Sequence, residues 1–136
     1  MTESQLQVMV ADYIILHYPN VLFHSDFGSG VKLTKGQAVR MKRQNGGRRG
    51  WPDMFIAESR RGNGKYVYKG VYHGLFLELK KEGTRLQKKD GSWVSEHITE
   101  QASVLSDLIK RGYQAEFAVG FEQAKEIIDD YLGGEE

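Results

Sequence analysis

The run Gly74-Leu75-Phe76-Leu77-Glu78-Leu79-Lys80 alternates so strictly that it reads as a β-strand with one buried face. Leu75, Leu77 and Leu79 belong on one side, Phe76, Glu78 and Lys80 on the other. Glu78 and Lys80 then stand about 7 Å apart along the strand. Pro52-Asp53 opens an earlier strand, Asp53 to Glu58, in which Asp53, Phe55 and Ala57 share a face. A Gly-rich stretch between the two runs suits a hairpin, so Asp53 can converge on Glu78 and Lys80. Two carboxylates with a lysine beside them are the minimal equipment for metal-assisted phosphodiester hydrolysis. The Glu-x-Lys spacing alone also describes an ordinary strand ion pair; its weight comes from the company it keeps.

Size and charge narrow the reading. At 136 residues the chain is long enough for one α/β core and too short for two, so residues 1–136 are expected to form a single domain. The absence of cysteine excludes disulfides and thiolate zinc sites. No apolar run approaches the roughly 20 residues that span a bilayer, and the N-terminus lacks a signal-peptide layout. The expectation is a cytoplasmic protein without membrane contact.

The net charge of +1 conceals an asymmetry. Lys32 to Lys89 holds 16 Lys/Arg against four acids, Asp53, Glu58, Glu78 and Glu82, a net +12, while the remainder carries −11. Charge runs often do no more than solvate a surface. Here the basic segment contains both motifs, and a positive surface around a carboxylate cluster suits a polyanionic substrate. Arg40, Lys42, Arg43, Arg48, Arg49, Lys81, Arg85, Lys88 and Lys89 are the candidate DNA contacts.

Along the chain, Thr2 to about Tyr18 reads as a helix with a Thr2/Gln5 capping box and an apolar stripe of Leu6, Met9, Val10, Tyr13 and Ile14. Val21 to His24 suits a short strand. Thr34 to Arg43 is a second capped helix, stopped by Asn45-Gly46-Gly47, after which Arg48 to Asp53 forms a flexible basic approach. Ser59 to Lys65 is expected as turn and Tyr66 to Lys81 as one strand, bent at Gly70 and Gly74. Glu82 to Val94 reads as a polar basic loop. Ser95 caps a helix to about Arg111 that buries Ile98, Ala102, Leu105 and Ile109. Tyr113 to Val119 is a strand, and a helix with Phe121, Ala124, Ile127, Ile128, Tyr131 and Leu132 closes the chain. A βαβ unit near the C-terminus favours a mixed sheet with helices on both faces.

Asp53 and Glu78 would each give oxygens to one Mg²⁺ or Mn²⁺, and the Leu79 backbone carbonyl can add another. Lys80 is expected to act by electrostatics and by positioning water rather than by abstracting a proton, since neighbouring carboxylates favour its charged form. Gln101, early in the next helix, can hydrogen-bond the attacking water or a phosphate oxygen. His97, one turn earlier, reads more simply as a helix-face histidine with a structural or solvent partner. Glu3 has two equal readings, a first-turn acid complementing the helix dipole or a third carboxylate at the metal site. Trp51, Trp93, Tyr66, Tyr68 and Tyr72 could meet bases or a partner chain, though packing is the simpler reading for the tyrosines.

Together these residues resemble the PD-(D/E)xK nucleases, and more closely the virus-type replication-repair nuclease (VRR-NUC) domain. The resemblance is carried by Gly50-Trp51-Pro52-Asp53-Met54-Phe55-Ile56, by His73 to Lys80, by Gln101, by Leu108 to Tyr113, by Gly120-Phe121 and by Ala124 to Leu132. It implies a restriction-endonuclease-like αβββαβ core, a mixed sheet flanked by helices, a divalent metal (Mg²⁺ or Mn²⁺) and cleavage of DNA. It also implies Asp53, Glu78 and Lys80 as the catalytic trio, with Gln101 as the helix glutamine and Glu3 where the family often has an acid. By analogy with standalone relatives, a homodimer acting on branched DNA, in the manner of a Holliday-junction resolvase, is expected; for a phage protein the host cytoplasm would be the setting. The chain departs from the pattern at Ser25-Asp26-Phe27-Gly28, where many relatives carry Asn, and at Ile98, where a small hydroxyl residue is usual. Competing readings are a non-catalytic nucleic-acid-binding module of a replication, repair or packaging complex, and a sequence-specific restriction-type enzyme, for which no inserted recognition segment is visible. RNA remains open as a substrate.

Overall fold

The computed structural model describes residues 1–26, 32–61 and 70–133. Its elements are α1 (Glu3–His17), β1 (Phe23–Ser25), α2 (Lys35–Gln44), β2 (Met54–Ile56), β3 (Arg60–Arg61), β4 (Val71–Tyr72), β5 (Leu75–Lys80), α3 (Glu96–Lys110), β6 (Gln114–Val119) and α4 (Phe121–Leu132). The alternating run has become β5, an inner strand of a sheet ordered β1-β2-β5-β6. β1, β2 and β5 are antiparallel neighbours, while β5 and β6 run parallel and are joined by α3. This is the expected αβββαβ core, with α2 inserted between β1 and β2 and α4 added at the end.

The alternation decides which face each helix covers. Leu75, Leu77 and Leu79 are at most 1% exposed and form the floor of a core shared with Leu6, Val10 and Ile14 of α1 and Ala124, Ile127 and Ile128 of α4. On the opposite face α3 lays Val104, Leu105 and Leu108 over Phe76, Ala115 and Phe117. α1 and α4 are tied at one end, where the hydroxyls of Tyr13 and Tyr18 both donate to Asp129 Oδ1 at 2.7 Å. Capping boxes close the starts of α1 and α2, at Thr2/Gln5 and Thr34/Gln37, and the Ser95 hydroxyl accepts from Ile98 N–H at the start of α3. Among the described residues no helix is long and apolar enough to cross a membrane.

Several expectations need correction. The stretch expected as one long strand is two: β4 leaves the main sheet to pair with β3, in residues expected as turn. The break falls at His73-Gly74, where His73 N–H donates to Gly112 O and Gly74 O accepts from Gln114 N–H. A side chain at position 74 would sit 2.5 Å from the Phe55 ring, so only glycine lets the chain pass there. Gly62 to Lys69, with Tyr66 and Tyr68, lie outside the described residues, as do Phe27 and Gly28 of the early loop. The loop after β5 folds on itself through a Gln87–Trp93 bridge, anchored by Trp93 against Phe117 with ring centroids 5.6 Å apart. α3 buries Ile98, Gln101, Val104, Leu105 and Leu108, leaving Ile109 53% exposed. Its inward stripe is set by Val104 and Leu108 reaching the aromatic side of the sheet. On α1, Met9 lies at the edge of the buried stripe, and Gln7 is buried instead. Tyr72 is core, packed near Tyr131.

Candidate active site

The register of β2 on β5 pairs Met54 with Leu77 and Phe55 with Phe76, which carries Asp53 to the strand end beside Glu78. Phe55 and Phe76 stack at 4.4 Å on the same face and form an apolar floor next to the carboxylates. Beyond Met54 the backbone ladder stops and the Asp53 side chain takes over, with Oδ2 accepting from Leu79 N–H at 2.7 Å. Within a strand a residue's N–H and C=O leave on the same side, so the Leu79 carbonyl also points towards Asp53. Lys80, on the same face as Glu78, is buried, with its Nζ 3.9 Å from Glu78 Oε2.

Burial raises the proton affinity of Glu78 strongly, and the adjacent Asp53 raises it further, with Lys80 opposing. Asp53 is raised as well, again chiefly by burial, offset by its hydrogen bonds to Glu78 and to the Leu79 amide. Without a cation the two carboxyls are therefore a strained pair that favours holding a proton. Two buried oxygens at this place have no hydrogen-bond partner, Glu78 Oε1 and Gln101 Oε1. Both are acceptors, and what a set of unsatisfied buried acceptors lacks is a cation or a donor. Asp53, Glu78 and the Leu79 carbonyl are an all-oxygen set that suits a hard divalent ion, with the Gln101 oxygen beside it. Among the described residues no three His, Cys, Asp or Glu side chains gather closely enough to hold a metal, so such an ion would need the neutral oxygens too. Glu3 lies on the wall of the same cleft and raises the proton affinity of both carboxyls from a distance.

The cleft has a volume of about 590 Å³ and reaches from these carboxyls to α2 and the segment before β2. Lys42, Arg48, Arg49 and Trp51 line it, and Trp51 is 42% exposed. The segment expected to be a flexible approach is held at two points. Gly50, at φ +85°, passes so close to α3 that a Cβ would stand 2.9 Å from the Gln101 amide nitrogen. Arg48 donates to Asp107 Oδ2 at 2.9 Å and to Ser103 Oγ at 3.2 Å. Of the remaining basic candidates, Arg40 and Arg43 face away from the cleft on the other side of α2. Lys81 lines a separate cavity beside Met1 and Gly120, while Arg85 precedes the segment closed by the Gln87–Trp93 bridge and Lys88 and Lys89 lie within it, none of the three lining the cleft.

Three contacts were not anticipated. Gln7 donates from α1 to Asp26 O at 2.8 Å, and Asp26 N–H donates to Asp53 O at 2.6 Å, which ties the early loop to the first motif. The signal for Gln7 was its place four residues after Glu3, on the same helix face. His97 Nε2 lies 3.2 Å from Gln101 Nε2. As placed, the Gln101 amide nitrogen donates and the imidazole accepts.

Among solved structures the chain is similar to a VRR_NUC domain protein, at 24% identity and a TM-score of 0.66 over 98% of this chain and 89% of that one. No protein-family model and no curated protein matches. The fold is thus VRR-NUC-like, an α/β domain with a mixed sheet flanked by helices.

Because the unfolded carboxyls ionise near pH 4 while burial holds those of the metal-free fold protonated to higher pH, stability falls as pH rises through that window. Asp53→Asn removes one of the crowded charges and keeps an acceptor for Leu79 N–H. In EDTA at pH 8 this variant should melt about 3 °C above the unsubstituted protein, a margin that shrinks towards pH 4. Thermal melts at the two pH values check this, and a lower melting point at pH 8 would refute it.

Proposed function

We propose that this protein is a divalent-metal-dependent endonuclease that hydrolyses DNA phosphodiester bonds, with branched DNA as substrate and a homodimer as working form. The observation that carries the reading is the half-buried Asp53 beside the buried Glu78 and Lys80, with Glu78 Oε1 and Gln101 Oε1 unpartnered at the end of a cleft walled by Lys42, Arg48 and Arg49. Asp53, Glu78 and the Leu79 carbonyl would hold Mg²⁺ or Mn²⁺, which supplies Lewis-acid activation of water and neutralises charge on the phosphate. Leu79 N–H fixes the Asp53 carboxylate through Oδ2. Lys80, kept close to Glu78 by burial, stabilises the charge that builds on the phosphoryl oxygens. Gln101, held by His97, orients the attacking water through its free oxygen. Water forms the new bond to phosphorus as the bond to the leaving sugar oxygen breaks, and the water's proton ends on solvent or the leaving group. The name of the similar solved protein supports the nuclease class. The dimer is supported by apolar side chains that α1 and the segment after it leave outside the core, among them Val8, Ile15, Leu16 and Leu22.

The deciding experiment is cleavage of end-labelled four-way junction, splayed-arm and linear duplex DNA in Mg²⁺, Mn²⁺ or EDTA, beside Lys80→Ala. Cutting is expected in metal alone, fastest on branched DNA, and reduced by at least ~100-fold in the variant. Binding without cutting under every metal would favour the non-catalytic module instead.

Two further outcomes test the finer parts. Arg49→Ala should lower the salt slope of DNA binding by about one unit. Arg48→Ala should lower it less, because Asp107 already neutralises that guanidinium. Sedimentation should give the mass of two chains, and a one-chain mass with and without junction DNA would remove the dimer.

A further inference from the structure

α2 is unusual among the described helices in burying no residue at all. It carries Lys35, Arg40, Lys42 and Arg43 and no acid. Ten residues of this composition lie below the ~12–15 at which an isolated helix is even marginal in water, and α2 leaves every residue but Met41 exposed. Its side chains divide cleanly. Ala38, Met41, Lys42 and Asn45 line the catalytic cleft. Gly36, Val39, Arg40, Arg43 and Gln44 line a second concavity of about 460 Å³. At 3.6 residues per turn these two sets point in opposite directions from the helix axis.

The outer set has the chemistry of a nucleic-acid contact. Two arginines one turn apart present forked donors to phosphates, Gln44 adds an amide on the same side, and Gly36 lets a backbone approach closely. No carboxylate of α2 opposes them. The inner cleft, about 590 Å³ in volume, holds the carboxyls on the other side of the helix. Arg40 and Arg43 leave α2 on the side away from the cleft, so a duplex axis lying along the cleft runs on the opposite side of the helix from them.

We infer that α2 is a two-sided nucleic-acid element: its inner face walls the strand to be cut, and its outer face, through Arg40, Arg43 and Gln44, takes the phosphates of a second arm of the same branched molecule. The inference rests on the nuclease reading for the identity of the ligand and adds the place where the second arm is held. A helix about 10 Å thick then lies between the two arms.

The test measures binding in EDTA, so it does not depend on cleavage. Affinities for a four-way junction and a linear duplex of equal length are compared for the full chain, for Arg40→Glu with Arg43→Glu, and for Lys42→Glu. The outer pair should weaken junction binding at least about tenfold more than duplex binding, since one of two linked contacts is lost. Lys42→Glu should weaken both alike. A photo-crosslinker at position 39 should mark a different junction arm from one at position 38. Equal weakening on both DNAs, no weakening on the junction, or crosslinks to one arm would each overturn the inference. So would a change in the DNA-free sedimentation mass of the outer pair without a loss of junction binding, which would make this face a contact between copies. If Lys80→Ala left cleavage intact while the junction-selective loss remained, the active-site reading would fail and the second-arm contact would stand.

Discussion

Two carboxyl groups side by side on one face of a sheet, Glu78 buried and Asp53 half-buried, are the arrangement on which the rest of this protein depends. Alone they would repel and favour a shared proton. They are held together by backbone geometry: the β2–β5 register sets their separation, and the Leu79 amide clamps Asp53 once the ladder ends. The three leucines on the reverse of β5 anchor that strand from behind. The hydrophobic core and the polar site are thus two faces of one six-residue strand, and neither can shift without the other.

Legibility in the sequence followed from how local each signal was. Period-two alternation made β5 readable, and with it the side on which Glu78 and Lys80 stand. Capping boxes at Thr2 and Thr34 and the Ser95 cap located three helix starts to the residue, because a cap is decided within four positions. The αβββαβ order could be read from these elements together with the resemblance they carry.

What escaped was decided by contacts between distant segments. Nothing near His73 says that its amide will meet Gly112, which is what separates β4 from β5. The basic approach looked free because Gly50 and its neighbours suggest mobility. In three dimensions the same glycine allows a close pass against α3, and Arg48 is spent on Asp107. Counting charges along the chain gave nine candidate contacts, yet only Lys42, Arg48 and Arg49 of them line the cleft beside the carboxyls. Linear charge density reports how much positive potential a segment carries but not which way each side chain points.

The tie between α1 and α4 has a reach beyond the helices it joins. α1 is 15 residues long, about 22 Å, and brings Glu3 and Gln7 to the catalytic end while Tyr13 and Tyr18 grip Asp129 nearer the other. Both hydroxyls keep their protons far into the alkaline range, chiefly through burial and then through that carboxylate. The helix therefore joins a tyrosine–aspartate knot at one end to the cleft at the other. Its N-terminal half carries the hydrogen bond from Gln7 to Asp26 O, and Asp26 in turn bonds the backbone of Asp53. Part of the cleft's geometry is thus inherited from Asp129 on α4, which does not line it.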